Sequence, residues 1–281
     1  VNSWQCGRFT LDLNNPCVMG IINLTPDSFS DGGQNSSIDA ALKRAEQLIG
    51  EGAHLLDLGA ESSRPGATPI GLDEELERLM PVLEALRDAP VPVSVDTYKP
   101  AVMHAALQAG VSIINDIYAL RQPGAIEAVT RSRCGVVLMH MQGEPVSMQQ
   151  APHYDNVVHE VFEFLADRVS KAHAAGIDLQ RITVDPGFGF GKRADDNIQL
   201  LRGLAKLQQL NTAGILIGLS RKSMLGAITG RAPENRIGAS VAGALAAFER
   251  GARIIRCHDV AATVDALNVW QTAGPKERLL D

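Results

Sequence analysis

The chain has 281 residues, 45% of them hydrophobic and 21% charged, the balance of a globular protein and not of a disordered or fibrous one. Its 26 Lys and Arg against 32 Asp and Glu leave a net charge of −6, so no bulk positive field is available for nucleic acid or an anionic membrane, and any anion must be caught locally. No apolar run approaches the roughly 18 to 20 residues of a membrane span, Val1 to Thr10 lacks the basic-then-apolar order of a signal peptide, and the cytoplasm is the expected compartment.

The residues before Val18 predict a small β-hairpin. Short β-branched runs then alternate with stretches of helical period, the pattern of parallel strands and crossover helices. The runs are Val18 to Leu24, Leu55 to Leu58, Val91 to Val95, Ile113 to Ile117, Val136 to Met139, Ile182 to Val184, Ile215 to Leu219 and Arg253 to Cys257. Helical stretches lie at Ile38 to Glu51, Asp73 to Arg87, Ala101 to Ala109, Asn156 to Ala175, Asn197 to Gln209, Ile237 to Arg250 and Ala261 to Thr272. Gly52, Gly110, Gly176 and Gly251 stand where a left-handed residue ends a helix. Eight strands in a chain somewhat over the roughly 250 residues usual for a (β/α)8 TIM barrel make that the expected fold, with the N-terminal hairpin plugging the barrel floor. An open doubly wound sheet is the alternative. No linker or low-complexity block divides residues 1–281, which predicts a single domain. Thr25 to Ser37 and Gln142 to Asp155 are long irregular stretches of the kind that form lids or binding loops. Cys6, Cys17, Cys134 and Cys257 show no CxxC spacing and read as buried free thiols.

Nearly every expected strand carries an isolated polar residue at its C-terminal end: Asn23, Asp57, Asp96, Asn115, His140, Asp185, Ser220 with Lys222, and Arg256 with His258. In a barrel these ends open on one face, where the active sites of the fold sit. One such Asp is a turn or cap residue as readily as a catalyst, but the repetition favours a shared site. Asp57, inside LLDLG, is a carboxylate within an apolar run, costly to bury unpaired. Residues at i and i+2 share a face, so Arg256 and His258 point the same way, whereas of Asn115 and Asp116 only one can face the mouth; periodicity leaves open which. The SRPGAT turn (Ser63 to Thr68) offers a guanidinium and hydroxyls suited to an anion, or is a solvated loop. DPGFGFGK (Asp185 to Lys192) fails as a P-loop because Arg193 follows the lysine, and reads instead as a loop in which Phe188 and Phe190 can cover a flat ligand. Lys222, just past a strand, also suits a Schiff-base lysine. The histidines show no HExxH spacing, and His140 reads as structural as readily as functional.

NLTPDSFSDGG (Asn23 to Gly33), ESSRPGA (Glu61 to Ala67), SVDT (Ser94 to Thr97), INDI (Ile114 to Ile117), LMHMQG (Leu138 to Gly143), DPGFGFGK, SRKS (Ser220 to Ser223) and RCHD (Arg256 to Asp259), in this order over essentially the whole chain, resemble the motif set of the bacterial dihydropteroate synthase family. The resemblance implies a (β/α)8 barrel that joins 6-hydroxymethyl-7,8-dihydropterin diphosphate to 4-aminobenzoate, giving 7,8-dihydropteroate and pyrophosphate in folate synthesis. It implies Mg2+ as cofactor, sulfonamides as inhibitors and a homodimer. By similarity Asp96, Asn115, Asp185 and Lys222 match pterin-ring positions, and Asp57 a carboxylate of the same pocket. Asn23, Arg256 and His258 match diphosphate and Mg2+ positions, with Asn23 on the metal. Ser63, Arg64, Phe190 and Ser223 match the mobile-loop and aminobenzoate positions. The catalytic group would then be Asp96, Asp185, Lys222 and Arg256.

The chemistry fits these residue types: a pterin edge presents N–H donors to a carboxylate and acceptors to an amide or ammonium, while a departing diphosphate needs cations. The chain departs from the family pattern in reading GAESSRPG where GGESTRPG is usual, so Ala60 gains a methyl and Ser63 loses one. Three rivals remain at this point: a methyltetrahydrofolate-dependent methyltransferase, whose reaction has no diphosphate to hold, a Schiff-base aldolase using Lys222, and a pterin binder without catalysis.

Overall fold

A computed structural model describes residues 2–25, 33–62 and 66–274, with 33–37 as backbone only. Strands β1 (Ser3–Cys6) and β2 (Phe9–Asp12) form an antiparallel hairpin turned at Gly7, whose φ of +63° lies in the left-handed region. The next eight strands are β3 (Cys17–Asn23), β4 (Leu55–Gly59), β5 (Val93–Asp96), β6 (Ile113–Asp116), β7 (Gly135–Met139), β8 (Ile182–Asp185), β9 (Gly214–Ile217) and β10 (Ile254–Cys257). All pair in parallel, and β10 closes on β3 to complete a barrel in chain order. The expected (β/α)8 barrel with its hairpin is therefore the fold.

The helices are α1 (Gly33–Gly50), α2 (Leu72–Ala85), α3 (Pro100–Gln108), α4 (Ala125–Thr130), α5 (Val157–Ala174), α6 (Ala194–Arg202), α7 (Ser223–Thr229), α8 (Ile237–Phe248) and α9 (Val260–Ala273). Gly52, Gly110, Gly176 and Gly251 follow α1, α3, α5 and α8 at φ between +94° and +98°, as their positions predict. Two helices, α4 and α7, have no counterpart among the expected elements, and the stretch expected as one helix over Asn197 to Gln209 is divided. There α6 ends at Gly203, where a Cβ would run into the side chain of Val158 on α5, and a 3-10 helix follows over Leu204–Leu210.

Strand alternation sorts the core into two layers. Val18, Ile22, Leu56, Val95, Ile114, Leu138, Val184 and Ile255 face the helices and pack with residues such as Ala45, Leu79, Val161 and Leu200. The opposite set, Met19, Leu55, Ile113, Val137, Leu216 and Ile254, fills the barrel interior together with Trp4, Cys6 and Leu13. The hairpin thus plugs the floor, and the interior polar residues lie at the other end. The four cysteines are free and buried, as expected.

Candidate active site

Along the interior face three strands climb from apolar to polar, Leu55 then Asp57, Ile113 then Asn115 and Ile254 then Arg256, while β5 and β8 are polar at both positions, Ser94 and Asp96, and Thr183 and Asp185. Register places Asp57 opposite Ser94 and Asp96 opposite Asn115. Arg256 Nε donates to Asp57 Oδ2 at 2.6 Å and its Nη2 to Asp96 Oδ2 at 3.1 Å, while Asn115 Nδ2 donates to the same Asp57 oxygen at 3.2 Å. Strands β10 and β5, like β4 and β6, are not neighbours, so these bonds cross the barrel interior. Asn115 is thereby the member of its pair that faces the mouth. Asp116 instead accepts from the backbone N–H groups of Tyr118 and Leu120 at 2.7 and 2.8 Å and shapes the turn outside.

Burial dominates the electrostatics of this cluster. It pushes the Asp96 carboxyl up to about 7, with Arg256 opposing and Asp57 adding to the rise. It pushes Asp185 up to about 6, against the Gly187 N–H that donates to Asp185 Oδ1 at 2.7 Å and the cations Lys222, Arg256 and Lys192. Burial also disfavours the Arg256 cation, but the Asp57 and Asp96 carboxylates more than restore it, and its pKa lies above the ordinary value. Among the described residues the buried side-chain polar atoms without a partner are Asp57 Oδ1 and Ser94 Oγ, on paired residues of one interior layer. An orphaned acceptor costs about 1–3 kcal/mol, so this layer is built to receive a donor.

The rim carries the remaining candidates. Phe190 lies in the β8–α6 loop with the Lys222 ammonium 4.3 Å from its ring centroid. Lys222 and Ser223 open α7. His258 follows β10, its Nδ1 3.0 Å from Ser220 Oγ, and its carbonyl accepts from Arg44 at 2.7 Å. Arg221, at φ +60°, pairs with Asp259 at 2.6 and 3.1 Å. Asn23 ends β3, half-buried, on the interior parity of Met19 and Ile21. The sequence alone does not foresee that Arg256 ties two carboxylates together from within the barrel. Ser63 and Arg64 lie outside the described residues. Ala60 is fully buried, and its carbonyl accepts from Arg78 at 3.0 Å.

The family model described as "Pterin binding enzyme" matches residues 19–258, which takes in every barrel strand from Met19 onward. The chain belongs to the pterin binding enzymes. Among relatives in this family, the dihydropteroate synthase of Neisseria meningitidis serogroup C is 50% identical over 275 residues, 96% of this chain and 97% of that protein. That of Escherichia coli K12 is 46% identical over 270 residues, 95% of each chain. Of solved pterin binding enzymes, Xanthomonas albilineans dihydropteroate synthase with 4-aminobenzoic acid superposes with a TM-score of 0.92 at 52% identity, covering 98% of this chain and 99% of that one. Burkholderia cenocepacia dihydropteroate synthase complexed with 7,8-dihydropteroate gives 0.87 at 53% identity, covering 96% and 95%.

Two polar clusters of this pterin binding enzyme escape sequence reasoning. Lys99 Nζ donates to Glu61 at 2.6 Å, to the Ile70 carbonyl at 2.7 Å and to Glu75 at 2.5 Å, and Thr97 Oγ1 donates to Glu75 at 2.7 Å. The buried Glu75 belongs to the first turn of α2, where an acid reads as an ordinary helix-dipole partner. The second cluster joins Lys192 to His140. Its signals are His140 at a strand end and a lysine closing a glycine-rich loop, and nothing in the sequence joins the two.

Proposed function

We infer that the chain joins 6-hydroxymethyl-7,8-dihydropterin diphosphate to 4-aminobenzoate, releasing pyrophosphate and 7,8-dihydropteroate for folate synthesis. The observation that carries this reading is the interior array of Asp57, Asp96, Asn115, Asp185 and Arg256, in a chain about half identical to dihydropteroate synthases along almost its whole length. Asp96 and Asp185 accept from the pterin N–H edge, and Asn115 and Lys222 meet its acceptors. Asp57 keeps Arg256 charged and turned into the mouth. A guanidinium carries more donors than its two carboxylate contacts use, so Arg256 can serve the diphosphate while tied to them. His258, oriented by Ser220, adds a donor on the same side. Phe190, Ser223 and the Ser63–Arg64 segment receive the arylamine.

Mg2+ belongs to this reading as a proposal. No group of three or more acidic, His or Cys side chains that could hold a metal occurs among the described residues. Asn23, at the end of β3 on the interior parity, offers an amide oxygen as protein ligand to an ion held mainly by substrate phosphates and water. Bound there, it would neutralise charge on the departing diphosphate. A cytoplasmic homodimer is likewise proposed on the family resemblance; no helix of the described residues is long and apolar enough to cross a membrane.

The test is release of pyrophosphate on mixing the protein with both substrates and Mg2+, with the product identified by mass. Pyrophosphate and dihydropteroate in equal amounts are expected. Pterin diphosphate binding without release on adding 4-aminobenzoate would leave a pterin binder and remove the enzymatic reading.

A further inference from the structure

Lys192 is the most enclosed of the described lysines, only 3% exposed; burial pulls its ammonium down to about 7, with the Asp185 carboxylate opposing, and no carboxylate lies within hydrogen-bond distance of it. Its ammonium instead gathers neutral acceptors: the Gly187 carbonyl at 2.8 Å, the Phe190 carbonyl at 3.0 Å and His140 Nδ1 at 2.9 Å, with the His140 carbonyl at 3.5 Å. Burial holds the imidazole neutral, which leaves Nδ1 able to accept. Backbone carbonyls rarely turn toward one point in a loop, and here the glycines allow it. Gly187, Gly189 and Gly191 have φ of +67°, +80° and +62°, and a Cβ on Gly187 or Gly191 would fall on the carbonyl of His140 or Gln142.

The other polar groups of the loop are also engaged. Gly189 N–H donates to Asn197 at 2.8 Å, the Gly189 carbonyl accepts from Gln149 at 2.6 Å, and the Gly191 carbonyl accepts from Tyr154 at 2.8 Å. The loop is therefore wound around the Lys192 ammonium, with the Phe190 ring turned to Lys222 on its outer side.

We propose that Lys192, with His140 as its acceptor, is a positioning residue for the condensation: it fixes the backbone of residues 187–190 so that Phe190 and the Lys222 ammonium form one wall for the arylamine. The proposal rests on the functional reading above. Asp185 depends on the staple less, because strand pairing with Met139 already fixes its backbone. Loss of the staple therefore acts on the amine and on turnover more than on the pterin.

The experiment is steady-state kinetics with calorimetry on folded Lys192→Met. At least a tenfold fall in kcat and a fivefold rise in KM for 4-aminobenzoate are expected, with the pterin diphosphate Kd within threefold of wild type. Lys171→Met, which removes an exposed lysine on the outside of α5, is expected to leave all three unchanged. Should Lys192→Met not fold, Lys192→Gln retains amide donors for the two carbonyls and is expected to show the same split, at least threefold in KM. Wild-type kcat and KM in either folded variant would overturn the positioning role. So would failure of both to fold, which would assign Lys192 to barrel stability alone. A wild-type protein inert in the same assay would count against the functional reading, a result separable from either.

Discussion

Asp185 is ionised at neutral pH against the preference of its surroundings. Burial moves its carboxyl from 3.8 to about 6, and at 1.36 kcal/mol per unit this corresponds to a cost of about 3 kcal/mol when the group is charged. Asparagine keeps an oxygen for the Gly187 N–H and carries no charge. Asp185→Asn is therefore expected to stabilise the unliganded protein by about 1–3 kcal/mol above pH ~7. A carboxyl with a raised folded pKa contributes its stability while protonated, below the ordinary value, and loses it as pH rises through about 6. The advantage of the variant should thus vanish near pH ~4. Urea unfolding across this range checks it, and a variant less stable than wild type at pH ~8 would contradict the assignment.

The same substitution should weaken pterin diphosphate binding, as should Asp96→Asn, since an amide sets a donor against ring N–H groups. A lost charged hydrogen bond costs about 1.5–3 kcal/mol, or about one to two decades in Kd by calorimetry. Unchanged affinity in both would take these carboxylates out of the pocket. That Asn115 and not Asp116 faces the barrel interior is beyond sequence reasoning for a simple reason. Alternation fixes that adjacent residues face apart but not which faces inward, and it is the pairing of Asn115 with Asp96 and its bond across to Asp57 that decide.

At the level of elements, the strands are legible because each is a short apolar run, in most of them β-branched, bounded by turn residues, and the left-handed glycines mark helix ends. The two unforeseen helices are not, for physical reasons. With Ala125–Thr130 and Ser223–Thr229 at two turns or less, α4 and α7 are too short to show an amphipathic period. The staple of Lys192 is hidden because its partners are mainly backbone carbonyls, which leave no trace in residue type. The hairpin, by contrast, carries a clear signal in Trp4. Its ring is wholly buried against Gly135, which has no room for a Cβ, and its Nε1 donates to the Arg181 carbonyl at 3.0 Å. Trp4→Ala should cost about 3–5 kcal/mol, the usual loss for a buried aromatic, through the cavity and the orphaned carbonyl. Because Trp4 sits at the floor and the polar array at the mouth, pterin affinity of the folded variant should match wild type. A large fall in affinity would mean that floor and mouth are coupled.

For the whole molecule, barrel closure is what turns scattered strand-end residues into a site: Asp57, Asp96, Asn115, Asp185 and Arg256 come from five strands and span 199 positions between Asp57 and Arg256. The interior that results is buried, acidic and held by one guanidinium, which suits a reaction that separates charge. 4-Aminobenzoate is a weak nucleophile, since its nitrogen lone pair is drawn into a ring bearing a carboxylate. The methylene cation left by a departing diphosphate is conjugated to the dihydropterin, and Asp96 and Asp185, poorly solvated as anions, gain most from positive charge beside them. On the proposed reading, Arg256 and His258 meanwhile receive the diphosphate. An array of this kind is expected to break the C–O bond largely before the amine attacks.

Positional isotope exchange decides the order of these two events. The protein is incubated with Mg2+ and pterin diphosphate labelled with heavy oxygen at the bridging position, without 4-aminobenzoate. The label should scramble into the non-bridging positions of the recovered substrate, and Arg256→Ala should slow scrambling and turnover together. A label that stays in the bridge even with an unreactive sulfone in the arylamine position, while the full reaction proceeds, would contradict early bond breaking and favour a concerted displacement.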